Sequence, residues 1–328
     1  MATGKSVGIL GAGAFGTSLA ICYIAKHNVS LFSVYDDHIT AMKLSGKNEF
    51  LPGFLLPDII NIDNLSNIKG EEFDYILWCF PTEPSCAILN SIKHLIDGNN
   101  IVICSKGFAI DGNFLAHAFQ ELLPNSTIAC LAGPNFASEL ASCKISAANI
   151  ASDDINISES FASNLSTESF KLFPIDDKIG AQLCGAAKNV IAIACGMVLG
   201  FDLGKNTHSA LLSFAIAEIT RLGMAIGAKP ATFLNLCGIG DLVLTTSSCD
   251  SRNTALGKKI ANGLKIESII KSEAAVCEGY GAARHIFNLA KDNKIEMPIC
   301  ETVYRILFEH ASRDSILNIF QDNTSKKL

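Results

Sequence analysis

The sequence predicts an α/β N-terminal domain built on a doubly wound parallel sheet, followed by an all-α C-terminal domain. Three observations carry this. In the first half, short continuous apolar runs alternate with stretches of helical spacing. A glycine-rich turn, GAGAFG, joins the first such run to the first helix. From about Gly180 onward, helical patterns follow one another with Gly, Asn and Pro punctuation and no clear strand.

The strands read in order as Ser6–Leu10, Val29–Val34, Asp74–Phe80, Asn100–Ser105 and Thr127–Ala132, each apolar throughout, as expected for strands buried on both faces. Helices fit between them, for example Thr17–Ala25 and Pro84–Leu95. Two further runs, Ile145–Ala151 and Phe170–Ile175, read as edge strands and complete a domain over residues 1–180. In the remainder, 181–328, the stretch Ile179–Gly200 reads as a mostly buried helix that begins at the domain boundary, and Ser209–Ile226 as another. Gly196, Gly200 and Gly204 recur every fourth residue, which lets another backbone approach one helix face; for Gly204 a loosened helix end before a loop fits equally well.

Composition bounds the function. The 328 residues, 49% hydrophobic, suffice for two ordinary domains. The apolar stretch NVIAIACGMVL falls short of the roughly 20 residues of a membrane span. The N-terminus runs directly into the first strand and does not read as a signal peptide, so a cytoplasmic location is expected. Twelve cysteines are scattered singly without a CxxC pair, and read as small buried hydrophobes in a reducing compartment. The seven histidines show no ligand spacing, so no metal is expected. A net charge of −6 argues against nucleic acid or an anionic membrane as partner. All five arginines lie beyond residue 220, so any bidentate guanidinium grip on a phosphate comes from the C-terminal part.

The glycine turn has the context that a dinucleotide site requires: strand before, helix after, within a βαβ series. This marks the first domain as Rossmann-like. Gly11 permits the turn, Gly13 lets a pyrophosphate approach the backbone, and Gly16 lets helix pack on strand. The N–H groups that open the helix face the phosphates. About 20 residues on, where an acidic residue reads the adenosine ribose, the sequence is LFSVYDDH. Asp36 and Asp37 are both in range, either as that reader or as a solvated loop, with no cation nearby until Lys43.

A substrate site belongs at the carboxyl ends of the same strands. The fourth strand runs into SKGF and places Lys106 there; the fifth runs into GPNFASE, with Gly133 and Pro134 in a turn and Ala137 opening a helix. CFPTEP puts Phe80 and Pro81 beside the same crevice. Lys188 stands in QLCGAAKNVIAIACG, where an ammonium is costly unless paired or functional, and a buried lysine suits proton transfer. In GIGDLVLT, Asp241 is a candidate counter-charge for Lys188. Ser251, Arg252 and Asn253 open a further helix and bring a hydroxyl, a guanidinium and an amide to its N-terminus, an anion clamp in the functional reading and an ordinary N-cap in the bland one.

Taken in order, GAGAFGTSLA, FLPGFLLP, SKGF, GPNFASE, AAKNVIAIACG, GKNTHSA, GIGDLVLT and SRNTALG resemble the bacterial-type NAD(P)-dependent glycerol-3-phosphate dehydrogenases, from residue 7 to about residue 280. The resemblance implies a Rossmann domain, a helical domain, and reversible reduction of dihydroxyacetone phosphate to sn-glycerol 3-phosphate, supplying glycerophospholipid synthesis. It implies Lys188 as general acid/base, with Lys106 and Asp241 as its catalytic companions. Lys106, Gly133, Asn135, Lys188, Asp241, Ser251, Arg252 and Asn253 fall on substrate positions. Gly11, Gly13, Ala14, Phe15, Gly16, Asp36, Lys106, Ala137, Arg252, Val276 and Glu278 fall on or beside cofactor positions. The partner implied is a phosphorylated small molecule, with a homodimer as one option for assembly.

Two positions depart from the family. Asn135 replaces its usual Ser or Thr after the glycine–proline pair, and Val34 stands where a basic residue is common at the end of the second strand. The latter predicts NADH preferred over NADPH. Two rival readings stay open: a β-hydroxyacid dehydrogenase, which gives no reason for the SRN segment, and a non-catalytic NAD-sensing protein, which needs no Lys188.

Overall fold

A computed structural model describes residues 4–247, 251–272 and 277–321. The chain separates into two compact units, Met1–Lys178 and Ile179–Leu328.

The first unit holds β1 (Ser6–Leu10), α1 (Ala14–Tyr23), β2 (Asn28–Ser33), α2 (Asp36–Ser45), β3 (Asn61–Asn64), β4 (Tyr75–Trp78), α3 (Thr82–Ile96), β5 (Asn100–Ile103), α4 (Leu115–Leu122), β6 (Thr127–Ala132), α5 (Ala137–Ala141), β7 (Ser146–Ala151), α6 (Ile155–Leu165) and β8 (Phe170–Ile175). They form one sheet in the order β3-β2-β1-β4-β5-β6-β7-β8. Every pairing is parallel except that of β6 with β7. The strand order reverses at β1, between β2 and β4, and such a switch point is where doubly wound sheets open a binding crevice.

Side chains of β1 alternate between the two faces. Val7 and Ile9 join the core that includes Leu19, Tyr23 and Phe161, whereas Leu10 joins Trp78, Leu89 and Phe119 on the other side. Trp78 is fully buried, and its indole N–H donates to Ser85 Oγ at 2.8 Å.

Several expectations need correction. The first helix starts at Ala14, three residues before Thr17, because Gly13 in extended backbone serves as its N-cap. The second strand ends at Ser33, leaving Val34 beyond it, and the third predicted strand is trimmed to Tyr75–Trp78. The run Ile145–Ala151 forms β7, which is not an edge: it lies between β6 and β8. The opposite edge is β3, sequence NIDN, which no apolar run announces.

The second unit is helical among the described residues: α7 (Lys178–Gly200), which starts at the last residue of the first unit, then α8 (Gly204–Ala225), α9 (Pro230–Phe233), α10 (Asp241–Ser247), α11 (Arg252–Ala261), α12 (Ile266–Ser272), α13 (Glu278–Asp292), α14 (Pro298–Phe308) and α15 (Asn318–Gln321). Helix α7 is long and apolar enough to cross a membrane, yet 83% of its most apolar window is buried inside the protein. Gly196 and Gly200 leave room on α7 for the backbone of α11: a Cβ on Gly196 would meet the Thr254 carbonyl, and one on Gly257 would meet the Ile193 carbonyl. Gly204 has open space around it and a φ of +83° at the start of α8, so it serves the turn and not this seam.

Glu218 on α8 is 1% exposed and closes the N-terminus of α14 from outside. Its Oε2 accepts from the Ile299 N–H and its Oε1 from the Cys300 N–H, each at 2.9 Å. Pro298 needs no such partner, so the carboxylate serves the orphan donors that follow it. Burial pushes the Glu218 carboxyl up to about 7 although these bonds pull it down.

Candidate active site

In the first unit the site begins at the turn between β1 and α1. Hydrogen bonds continue the sheet into it: the Gly11 N–H donates to the Phe32 carbonyl at 3.0 Å, and the Cys79 N–H to the Leu10 carbonyl at 2.7 Å. Gly11 has a φ of +112°, a left-handed conformation, and a Cβ there would press on the Cys79–Phe80 peptide. A Cβ on Gly13 would meet nothing within 4 Å, so open space lies against the backbone at that point. No side chain caps α1, and its first backbone bond is Thr17 N–H to the Gly13 carbonyl at 3.0 Å. The donors at the mouth of the helix are therefore those of Ala14, Phe15 and Gly16. This is a cradle for a phosphate-bearing ligand, and a dinucleotide fits its chemistry.

Along the same carboxyl edge, Val34 follows β2 and is 36% exposed. Asp36 and Asp37 open α2, and Asn64 Nδ2, from the end of β3, donates to Asp36 Oδ1 at 2.7 Å. Asp63 sits beside Asn64, and hydrogen bonding from Asn67 holds its carboxyl below the usual range. Lys106 follows β5, and its Nζ donates to the Gly133 carbonyl at 3.0 Å, which brings the SKGF and GPNFASE segments together. Asn135 Nδ2 donates to the Ala147 carbonyl at 3.2 Å, and its Oδ1 is buried with no partner among the described residues. Ala137 is the first residue of α5.

In the second unit, Lys188 on α7 is 9% exposed and Asp241 at the start of α10 is 0% exposed. Lys188 Nζ donates to Asp241 Oδ1 at 2.6 Å and to Thr245 Oγ1 at 2.9 Å. Asp241 and Thr245 are four residues apart on α10 and so share a face. The carboxylate and hydroxyl keep an ammonium in place inside an apolar helix, where it would otherwise be expelled or neutralised. Thr245 was not singled out from the sequence; the signal was its spacing from Asp241.

A second network lies one residue on. Asn189 Nδ2 donates to Glu278 Oε2 at 3.2 Å, Asn253 Nδ2 donates to Asn189 Oδ1 at 3.0 Å, and Asn253 Oδ1 accepts from the Gly279 N–H at 3.1 Å. Asn253 and Glu278 are thus tied to α7 through Asn189. Ser251 is the N-cap of α11, accepting from the Thr254 N–H at 3.3 Å, and Arg252 beside it is exposed. Of the SRN segment, the guanidinium is the group turned toward solvent. Val276 lies outside the described residues.

A lysine held charged in an apolar helix is equipped to move a proton, and a phosphate cradle at the switch point of a doubly wound sheet is equipped to hold a dinucleotide. Together they define a nicotinamide-dependent dehydrogenase. Comparison with known proteins narrows the class. Sequence models of the NAD-dependent glycerol-3-phosphate dehydrogenase N-terminus and C-terminus match residues 6–158 and 177–318. The chain belongs to the NAD-dependent glycerol-3-phosphate dehydrogenase family.

Relatives named glycerol-3-phosphate dehydrogenase [NAD(P)+] include one from Francisella tularensis subsp. novicida, 37% identical over 318 residues, covering 95% of this chain and 96% of the relative. Another, from Caulobacter vibrioides, is 37% identical over 320 residues and covers 96% of each. The crystal structure of glycerol-3-phosphate dehydrogenase from Coxiella burnetii superposes with a TM-score of 0.91 at 30% identity, covering 97% of this chain and 99% of that one. The Saccharomyces cerevisiae enzyme shares the fold at a TM-score of 0.81 and 21% identity, over 98% and 100% of the two chains.

Proposed function

We propose that this chain reduces dihydroxyacetone phosphate to sn-glycerol 3-phosphate, reversibly, with NAD or NADP, and so supplies the glycerol phosphate of glycerophospholipids. The observation that carries the reading is the buried Lys188–Asp241–Thr245 cluster in a chain of this family. A reduced nicotinamide held at the glycine turn would supply the hydride for the C2 carbonyl. Lys188 Nζ donates the proton to the C2 oxygen, Asp241 and Thr245 keeping that ammonium charged and aimed. Lys106 adds positive charge toward the developing oxyanion. The exposed Arg252 guanidinium at the N-terminus of α11 binds the substrate phosphate, which fixes the carbonyl for reaction. Ser251 caps that helix and Asn253 ties it to α7, so both act on the substrate from positions already braced. Gly133 and Asn135 line the substrate side of the first unit. Gly11, Gly13, Ala14, Phe15, Gly16, Asp36 and Ala137 hold the dinucleotide in that unit, with Arg252 and Glu278 contributing from the second.

The same reading favours NADH. NADP carries a 2′-phosphate that needs a cation at the end of β2, and Val34 stands there with Asp36 at the start of α2 and Asp63 at the end of β3. None of the described cysteines is in a disulfide, which suits a reducing cytoplasm.

The test is oxidation of NADH and of NADPH, followed by absorbance, with dihydroxyacetone phosphate as acceptor. Turnover with NADH is expected. No oxidation with either cofactor, or turnover restricted to β-keto acids, would sink the reading.

A further inference from the structure

Asn48 lies three residues beyond the end of α2 and is 2% exposed. Its amide uses its full bonding capacity. Nδ2 donates to the Ala12 carbonyl at 2.9 Å and to Thr17 Oγ1 at 2.7 Å; Oδ1 accepts from the Phe50 N–H at 2.9 Å and pairs with His38 Nε2 at 3.1 Å. Because that oxygen only accepts, His38 Nε2 is the donor, and its Nδ1 pairs with Ser33 Oγ, 3.3 Å away. Ser33 Oγ in turn accepts from the Tyr35 N–H at 3.3 Å. One run of hydrogen bonds therefore joins the glycine turn to the last residue of β2, the two places where a dinucleotide presents its pyrophosphate and its adenosine ribose.

Beyond the Gly11 N–H bond to the Phe32 carbonyl, the turn has little of its own to hold it. Gly11 and Gly13 carry no side chains, and α1 has no side-chain cap. What Asn48 grips is the peptide that joins Ala12, between those glycines, to Gly13. In a trans peptide the C=O and the following N–H point in opposite directions, so anchoring the Ala12 carbonyl sets the direction of the Gly13 N–H. We propose that Asn48 is a positioning residue for the dinucleotide: it fixes the Ala12–Gly13 peptide before the ligand arrives, so that binding is spared the cost of ordering it. This rests on the dinucleotide reading of the turn.

The test uses two variants of the full chain. Asn48→Asp keeps the acceptor for Phe50 and His38 and loses both donors; Thr17→Val removes one acceptor and keeps the helix shape. Titration of NADH fluorescence should show Kd rising about tenfold in N48D and about threefold in T17V. The kcat at saturating NADH and the KM for dihydroxyacetone phosphate should stay within about twofold, the split that separates positioning of the dinucleotide from general loosening. An unchanged Kd in either folded variant overturns the proposal, as does an equal rise in the KM of both ligands. A rise confined to N48D overturns it too, since that is repulsion of the pyrophosphate by the new carboxylate, which T17V does not add. Should N48D fail to fold, T17V decides alone. Wild-type chain that binds NADH without turning over would sink the assigned reaction and leave the role of Asn48 standing.

Discussion

Lys188 Nζ sits 2.6 Å from Asp241 Oδ1, a contact that spans 53 positions of the chain and joins two side chains almost wholly withdrawn from water. Each partner is tolerable in that setting because of the other. Removing the ammonium therefore does more than delete a proton donor.

Lys188→Met should lower kcat by roughly 10²- to 10⁴-fold with little change in NADH affinity. It should also lower stability by about 3–5 kcal/mol, because the Asp241 carboxylate is left buried without its cation. Urea unfolding of K188M beside the double variant K188M/D241L separates the two: the double should regain most of the stability and none of the activity. Near-normal kcat in K188M would remove the lysine from the mechanism.

Thr245→Val keeps the shape of the side chain and deletes the hydroxyl that accepts from Lys188 at 2.9 Å. A loss of about tenfold in kcat is expected, with about 1 kcal/mol of stability. With one acceptor fewer the ammonium gives up its proton more readily, so the basic limb of the kcat–pH profile should move to lower pH. A profile that does not move would make the threonine a packing residue only.

For Arg252→Ala, the informative comparison is between substrates. A charge-assisted bond to phosphate contributes about 1.5–3 kcal/mol, so kcat/KM for dihydroxyacetone phosphate should fall roughly 10- to 150-fold. Phosphate-free dihydroxyacetone should be affected far less. Equal losses would mean that the guanidinium does not grip the phosphate.

The cofactor prediction turns on one exposed valine. A missing cation and a nearby carboxylate at the end of β2 together disfavour a 2′-phosphate by about 2 kcal/mol, or about 30-fold in affinity. The ratio of kcat/KM for NADH and NADPH measures this directly, and Val34→Arg should shift it toward NADPH. A wild-type preference for NADPH would refute the argument.

Glu218 predicts a pH dependence with a definite sign. Its carboxyl is raised from an ordinary 4.5 to about 7 by burial, so the folded chain keeps a proton that the unfolded chain gives up as pH rises. The stability it contributes is fully present below pH 4.5, is lost as pH rises through 7, and is level above that. The span corresponds to about 3 kcal/mol. Glu218→Gln should flatten this slope in urea-unfolding midpoints taken across the window; an undiminished slope would assign it to other groups.

Much of the site was legible because its residues break local rules. Lys188 stands out as a charge in an apolar helix, and the glycines stand out as missing side chains at a strand–helix junction. Thr245 breaks no rule: threonine in LTTSS is unremarkable until Asp241 is known to face the same lysine. Asn48 was equally silent, since an asparagine after a helix reads as a turn residue, and only the folded chain brings it to Ala12 and Thr17. Among the elements, β3 escaped because its four residues, NIDN, gain their strand pairing from β2 and not from apolar burial on both faces. Helix α1 was placed late because it opens on Ala14, Phe15 and Gly16 behind a glycine N-cap, with no side-chain cap to announce it.

The seam where Gly196 of α7 meets Gly257 of α11, and Gly200 meets Lys258 and Ala261, carries a consequence for inheritance. A Cβ at Gly196 or Gly257 would collide with main chain, which cannot move aside as a flexible side chain can, so a smaller change elsewhere cannot easily compensate. In a library randomised at these two codons and selected for growth of a host that has no other source of sn-glycerol 3-phosphate, glycine alone should survive. The solvent-facing positions of the same helices should drift freely. The stretch of α7 that bears Lys188 would then be held nearly constant in a lineage by neighbours that never touch a substrate.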